Sequence, residues 1–261
     1  LDDGSQAYLN NSAIRTFSVF EFLAKSGFPL TLSAITEGTG LDKATTRRFL
    51  TTLCNLGYVD RTTDGKYKMT SRVLDLSSTY LRSVSLPEKS VPYLEEFCRK
   101  TMTSTSMAIL DGVDVVYVAH VSVREALSVG VQIGTRLPAH ATAVGKVLLS
   151  HRPTQEVIER YGSDELTTYT SRTIDRVSLL VGALSEIKRQ GWAISEEEYE
   201  LGVRAAACPI VSSDGAVISA INVSTRTADV DRIDFLTQVV PELIRTADLI
   251  AKALGGVAEP I

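Results

Sequence analysis

The stretch Gly40–Val59, GLDKATTRRFLTTLCNLGYV, runs into Asp64-Gly65, which sits between two short β-prone runs. A capped helix followed at once by a tight hairpin restricts the fold more than any other feature of this chain. Asp42 predicts an N-cap, since its carboxylate can accept a bond from an orphan backbone N–H and suits the positive end of the helix dipole. Gly57 predicts a left-handed stop. On a helical wheel Phe49, Leu50, Leu53 and Leu56 share one side, and Arg47, Arg48, Thr51 and Asn55 fall largely on the other. The second face carries groups that contact phosphates and base edges in a major groove. Taken alone, it reads first as a solvated face; the flanks decide.

Ala13–Ala24 predicts a helix with Ile14, Phe17, Phe20 and Leu23 on its apolar side and Ser12 as cap, ended by Gly27 and Pro29. Leu32–Thr39 is long enough for a second short helix, and Gly38 and Gly40 bracket a tight turn before the third. Two helices joined by a short glycine turn make a helix-turn-helix. The Asp64-Gly65 hairpin carries Arg61, Lys66 and Lys68 and predicts a basic wing for backbone phosphates. Thr70–Ser83 reads as a linker helix with Val73, Leu76 and Leu81 as apolar positions. The organisation expected is a winged helix-turn-helix over 1–70, a linker helix over 71–86, and a second domain over 87–261.

Charge follows that division. The net charge of the 261 residues is −4. Residues 1–82 hold 10 Lys and Arg against 8 Asp and Glu, and the rest 17 against 23. A mildly basic head on an acidic remainder fits a DNA-binding module carried by a sensor. The three cysteines, Cys54, Cys98 and Cys208, are far apart and match no zinc or redox spacing, so a reducing cytoplasm is expected. With no run of 18 apolar residues and no basic-plus-apolar leader, neither a membrane span nor a signal peptide is expected.

In the remainder, helices are predicted over Pro87–Thr101, Ala141–Ser150, Thr154–Tyr161, Val177–Gln190 and about Asp231–Leu254. Strands are predicted over Ser104–Leu110, Val113–Val121, Leu127–Ile133, Trp192–Ser195, Arg204–Val211 and Val217–Ser224. Turns at Asp111-Gly112 and Ser213-Asp214-Gly215 join strands directly. The class is α+β, with an antiparallel sheet flanked by helices.

Several ordered motifs resemble the isocitrate-lyase regulator (IclR) family of bacterial transcription factors. They are SAIRTFSVFEFLA, LDKATTRRFLTTLCNLGYV and GKYKMTSRVLDL in the head. GTRLPAHATAVGKVLLS, EEEYELGVRAAACPI and SAINVS follow in the remainder. The resemblance covers nearly the whole chain. It implies a GAF-like effector domain, a small organic acid as effector and a homodimer or dimer of dimers. It also implies a double-stranded DNA operator with palindromic or repeated half-sites. GTRLPAHATAVGKVLL further resembles the branch that regulates breakdown of aromatic acids such as protocatechuate and hydroxybenzoate. Two departures stand out. Ala44 replaces a Ser common in the family, so one contact at the head of the recognition helix is missing. Pro209 stands where some relatives place a polar effector contact.

The DNA-binding candidates are therefore Thr45, Thr46, Arg47, Arg48 and Thr51 on the helix, with Arg61, Lys66 and Lys68 on the wing. By position in the family the effector pocket maps to Val129, Ala143, Val144, Asn222 and Ser224, and Ser106 and Glu198 complete the set. Small residues at Ala141, Thr142, Ala143 and Gly145 let a ligand approach a helix start, where free N–H groups favour an anion; the same residues also serve close helix–sheet packing. Asn222 and Ser224, two apart on a strand, face one side. His140 reads as a loop or cap residue before a ligand contact. Glu196, Glu197 and Glu198 read as a pocket wall or as partners of Arg204 before a metal site. Gly145-Lys146 is no P-loop, because position 140 is His. No cofactor or metal is expected. The rival class is a small-molecule hydrolase or metal-binding enzyme with an attached DNA-binding domain. It lacks any nucleophile motif.

Overall fold

The computed structural model describes residues 9–84, 86–122 and 131–255. Contacts divide the chain into two compact units between Ser83 and Val84.

The first unit holds helices α1 (Asn11–Ser26), α2 (Leu32–Thr39) and α3 (Lys43–Asn55), a hairpin of β1 (Val59–Arg61) and β2 (Tyr67–Met69), and α4 (Val73–Val84). Val19, Leu23, Ile35, Leu50, Leu53 and Tyr67 form its core. Asp42 caps α3, accepting from Thr45 N at 2.9 Å, and hydrogen bonds from Thr45 hold its carboxyl below the usual range. Gly57 takes φ +80° just past the helix, and its N–H reaches Cys54 O at 2.9 Å. The hairpin has antiparallel register Asp60 opposite Lys68. Leu30 adds a bridge to Tyr67 that the sequence did not announce.

Three expectations in this unit are corrected. The cap of α1 is Asn10, whose side chain accepts from Ser12 N at 3.0 Å and Ala13 N at 3.2 Å, so Ser12 lies inside the helix. The buried stripe of α1 is Val19 and Leu23, one turn apart, which leaves Ile14 and Phe17 at 47% and 62% exposure. Leu56 is 50% exposed because it stands at the C-cap, where the chain leaves the helical wheel.

The second unit opens with α5 (Leu86–Thr101). It continues through β3 (Ser104–Asp111), β4 (Asp114–Val121), β5 (Arg136–Pro138), α6 (Ala143–Ser150), α7 (Thr154–Tyr161) and α8 (Val177–Gln190). Then come β6 (Ala193–Glu196), β7 (Val203–Val211) and β8 (Val217–Arg226). A one-turn α9 (Arg232–Asp234), a π-helical turn over Phe235–Val239 and α10 (Val240–Ala253) follow. The six strands form one sheet in the order β5-β4-β3-β8-β7-β6, and every pairing is antiparallel. Helices α5 and α10 pack on one face and α6 on the other, backed by α8. Gly145 permits the close approach of α6: a Cβ there would lie 2.2 Å from Ala139 O.

Two expectations fail here. The strand predicted over Leu127–Ile133 has its first four residues outside the described residues. The remainder is a turn, closed by Thr135 N to Gln132 O at 3.0 Å, with Gly134 at φ +89°; the strand follows at Arg136. The last helix is not a single α-helix. Val240 N–H reaches back to Phe235 O, a five-residue step, and Pro241 then has no N–H to restore the regular ladder.

Candidate functional site

On α3 the polar face is open. Arg47, Arg48, Thr51 and Asn55 are exposed and Thr45 is half-buried. Neither guanidinium forms an ion pair with a described residue, and Arg48 lies 5.5 Å from the Phe49 ring centroid. Thr46 is the exception. It is fully buried and its Oγ1 donates to Asp42 O at 2.9 Å, so it closes the first turn and cannot reach DNA. On the wing, Lys68 is exposed and Arg61 stacks 5.8 Å from the Tyr67 centroid. Lys66 pairs with Asp64 at 2.8 Å; that ammonium and the Thr62 hydroxyl hold the Asp64 carboxyl down at about 2. Both side chains of the pair are well exposed, so the bridge competes weakly with a phosphate.

In the second unit a cavity of about 50 Å³ lies between the start of α6 and the sheet. Ala143, Val144, Asn222 and Ser224 all line it, so four of the seven effector candidates are brought together. Sheet register explains the convergence. Asn222 stands opposite Ala207 and Ser106, Ser224 opposite Ala205, and Ala205 opposite Ser195; directly opposed residues share a face. Asn222 is 5% exposed and its Oδ1 is buried without a partner. Across from it, Thr142 caps α6 through Gly145 N at 3.2 Å, and the first-turn N–H groups of a helix have no intrahelical acceptor.

Of the other three candidates, the two that are described stand off the cavity. Val129 is outside the described residues. Ser106 shares the sheet face, but its Oγ is engaged with His120 Nδ1 at 2.9 Å and it does not line the cavity. Glu198 also stands off the cavity, bound by the buried Lys146 of α6, whose ammonium donates as well to Ile194 O at 3.0 Å. Its neighbours are committed likewise. Glu196 accepts from Arg204 Nε at 2.9 Å and Arg232 Nε at 3.1 Å, and Glu197 pairs with Arg172 at 3.0 Å. Three consecutive carboxylates thus brace the end of β6 and the loop after it against α6, β7, α9 and the segment before α8. His140 is buried, with Nε2 2.9 Å from Thr167 O.

Sequence reasoning missed Tyr117, Ser195, Tyr199 and Glu200, which also line the cavity. Burial pushes the Tyr117 phenol well above its ordinary value, so it is a neutral donor at physiological pH. Strand alternation could have flagged Ser195. Tyr117 could have been flagged in the same way: it is two residues on from the buried Val115 and stands opposite Ala108 in the unbroken register that runs from the Asp111–Asp114 turn.

An exposed basic helix over a wing, together with a mostly apolar cavity holding a few convergent polar groups, defines a DNA-binding regulator with a ligand-binding domain. The chain belongs to the IclR family of bacterial transcriptional regulators: the IclR helix-turn-helix domain matches residues 12–63 and the IclR C-terminal domain residues 78–252. It is 38% identical over 227 residues to the p-hydroxybenzoate hydroxylase transcriptional activator of Acinetobacter baylyi, covering 84% of this chain and 82% of that protein. A solved structure from Rhodococcus sp. RHA1, described as a transcriptional regulator, is 38% identical with a TM-score of 0.81 and covers 95% of this chain and 99% of that one. The inducer-binding domain of the PobR transcription factor of Acinetobacter, solved as a double mutant with 3-hydroxybenzoic acid, is 33% identical. It covers 64% of this chain and 97% of that one, with a TM-score of 0.59. No described helix is long and apolar enough to cross a membrane.

Proposed function

We propose that the chain is a dimeric or tetrameric regulator of a catabolic operon, not an enzyme, and that a small organic acid, aromatic or keto, is its effector. In this reading Arg47, Arg48, Thr45 and Thr51 meet the operator's major groove, and Arg61, Lys66 and Lys68 meet the flanking phosphates. The acid's carboxylate lodges at the start of α6, near Ala143 and Val144, and Asn222 and Ser224 hold its polar groups. The observation that carries the reading is Asn222 Oδ1, a buried acceptor with no partner on the wall of a cavity that faces a helix start. Such an atom costs free energy until something donates to it. The relatives' names add support, since one is an activator named for p-hydroxybenzoate hydroxylase and another was solved with a hydroxybenzoic acid.

A thermal-shift screen of aromatic and short aliphatic carboxylic acids tests the reading. An effector at about 100 times its dissociation constant adds about 2.7 kcal/mol of stability. A screen in which no acid raises the melting temperature removes the acid-effector reading.

A further inference from the structure

The inner cavity is too small for the ligands considered so far. Its room is about 50 Å³, whereas a cavity that takes a benzene ring offers about 150 Å³. It holds a carboxylate-sized group and little more. The body of any larger acid must lie outside it, and the structure shows where. A second space of about 520 Å³ adjoins the cavity, and Val131, Leu137, Tyr199, Glu200 and Val203 line both.

One cation lines that outer space. Arg226 ends β8, and its guanidinium forms no ion pair or hydrogen bond with any described residue. It is in line with the inner groups. Asn222, Ser224 and Arg226 alternate along one strand and so point to one face, with Arg226 opposite Val203, which lines both spaces. Strand rise sets the spacing at about 6.7 Å for each step of two residues, or about 13 Å from Asn222 to Arg226 along the backbone. The inner end offers the N–H groups of a helix start to an anion, beside an Asn222 oxygen that can accept only from a donor elsewhere on the ligand; the outer end offers an open guanidinium fork, which suits a carboxylate bidentately.

We propose that Arg226 forms a second anion subsite, so that the cavity and its outer cleft together select an elongated acid with an anionic group at each end. The proposal rests on the acid-effector reading above and narrows it. Glu200 also lines the outer cleft and has no ion-pair partner among the described residues. It opposes an anion there, and it sets an upper limit on how tightly the second group is held. Arg226 is exposed, so its replacement does not disturb the core.

The test titrates the full chain by calorimetry with matched pairs: hexanoate against adipate, and benzoate against terephthalate. Glutarate and pimelate vary the length. The expected result is that each diacid binds about tenfold more tightly than its monoacid, the gain of one charge-assisted contact. Arg226→Gln should abolish that advantage while leaving the monoacids unchanged. Glu200→Gln should strengthen diacid binding selectively. Monoacids that bind as well as diacids would overturn the subsite and leave the acid-effector reading standing. An Arg226→Gln variant that weakens both classes equally would do the same, since Arg226 would then act on the fold and not on the second group. If neither class binds, both readings fall. A Glu200→Gln variant that weakens diacids would also overturn the proposal, because the outer cleft would then be built for a cation.

Discussion

Lys146 of α6 and Glu198 of the loop after β6 form a buried ion pair, with side chains only 5% and 12% exposed. Glu198 Oε2 is buried with no partner. The pair joins the helix that walls the cavity to the loop that carries Tyr199 and Glu200. Removing one partner strands the other charge in a low-dielectric site. Lys146→Met is therefore expected to cost about 3–5 kcal/mol in a denaturant melt, whereas Lys146→Met with Glu198→Leu should recover most of it. Equal losses in the single and double variants would show that packing, not charge, is what the pair supplies.

Thr46 and Arg47, neighbours on α3, separate folding from recognition. Thr46→Val removes one hydrogen bond to Asp42 O inside the core and should cost about 1 kcal/mol of stability with operator affinity intact. Arg47→Ala should instead leave stability alone and weaken operator binding by about 1–3 kcal/mol with relaxed base preference. Lys66→Ala should weaken all DNA alike and reduce the salt slope by about one unit. Gel-shift titrations at several salt concentrations read all three; unchanged affinity in both cation variants would place the DNA surface elsewhere.

Local signals made much of this legible. Asp42, the Asp64-Gly65 hairpin and the glycine stop at Gly57 each fix a boundary through their own backbone chemistry, and α2, α7 and α8 run as expected. Asn222 and Ser224 were legible because two residues apart on a strand must share a face. What failed depends on contacts between distant segments. Thr46 is the exception: the helical period of α3 sets it with Phe49, Leu50 and Leu53, so its burial could be read from the sequence. Ser106 meets His120 because the β3–β4 register shifts between Met107 and Ala108, and no residue in either strand marks that bulge. Glu198 is held by Lys146, 52 positions away, a pairing that no local pattern announces.

The cysteines give a check on burial. Cys98 is pushed up to about 11 by burial, and Cys208 higher still, while Cys54 is half-buried and less affected. Only a thiolate attacks a disulfide. At pH 8 a thiol-reactive disulfide reagent should modify Cys54 first, and Cys98 and Cys208 only on unfolding. Comparable rates for all three in the native protein would contradict the packing of α5 and β7.

Filling the cavity separates ligand binding from folding. Ala143 is 1% exposed and lines the cavity. Ala143→Leu should abolish acid binding at about 1–3 kcal/mol of overpacking cost. Ser224→Ala should cost about 1 kcal/mol of acid affinity. Calorimetry measures both, and wild-type affinity in Ala143→Leu would move the site elsewhere.

The central claim is that occupancy of this cavity changes how the head binds DNA. Such coupling requires that the acid favour one of two states, and it amounts to about 1–3 kcal/mol in known cases. The direct measurement is operator affinity with and without a saturating acid, in the wild-type chain and in Ala143→Leu. The account predicts a shift of roughly 5- to 150-fold in the wild type and none in Ala143→Leu, whose affinity without acid should match the wild type. An acid that binds by calorimetry yet leaves wild-type operator affinity unchanged would contradict it.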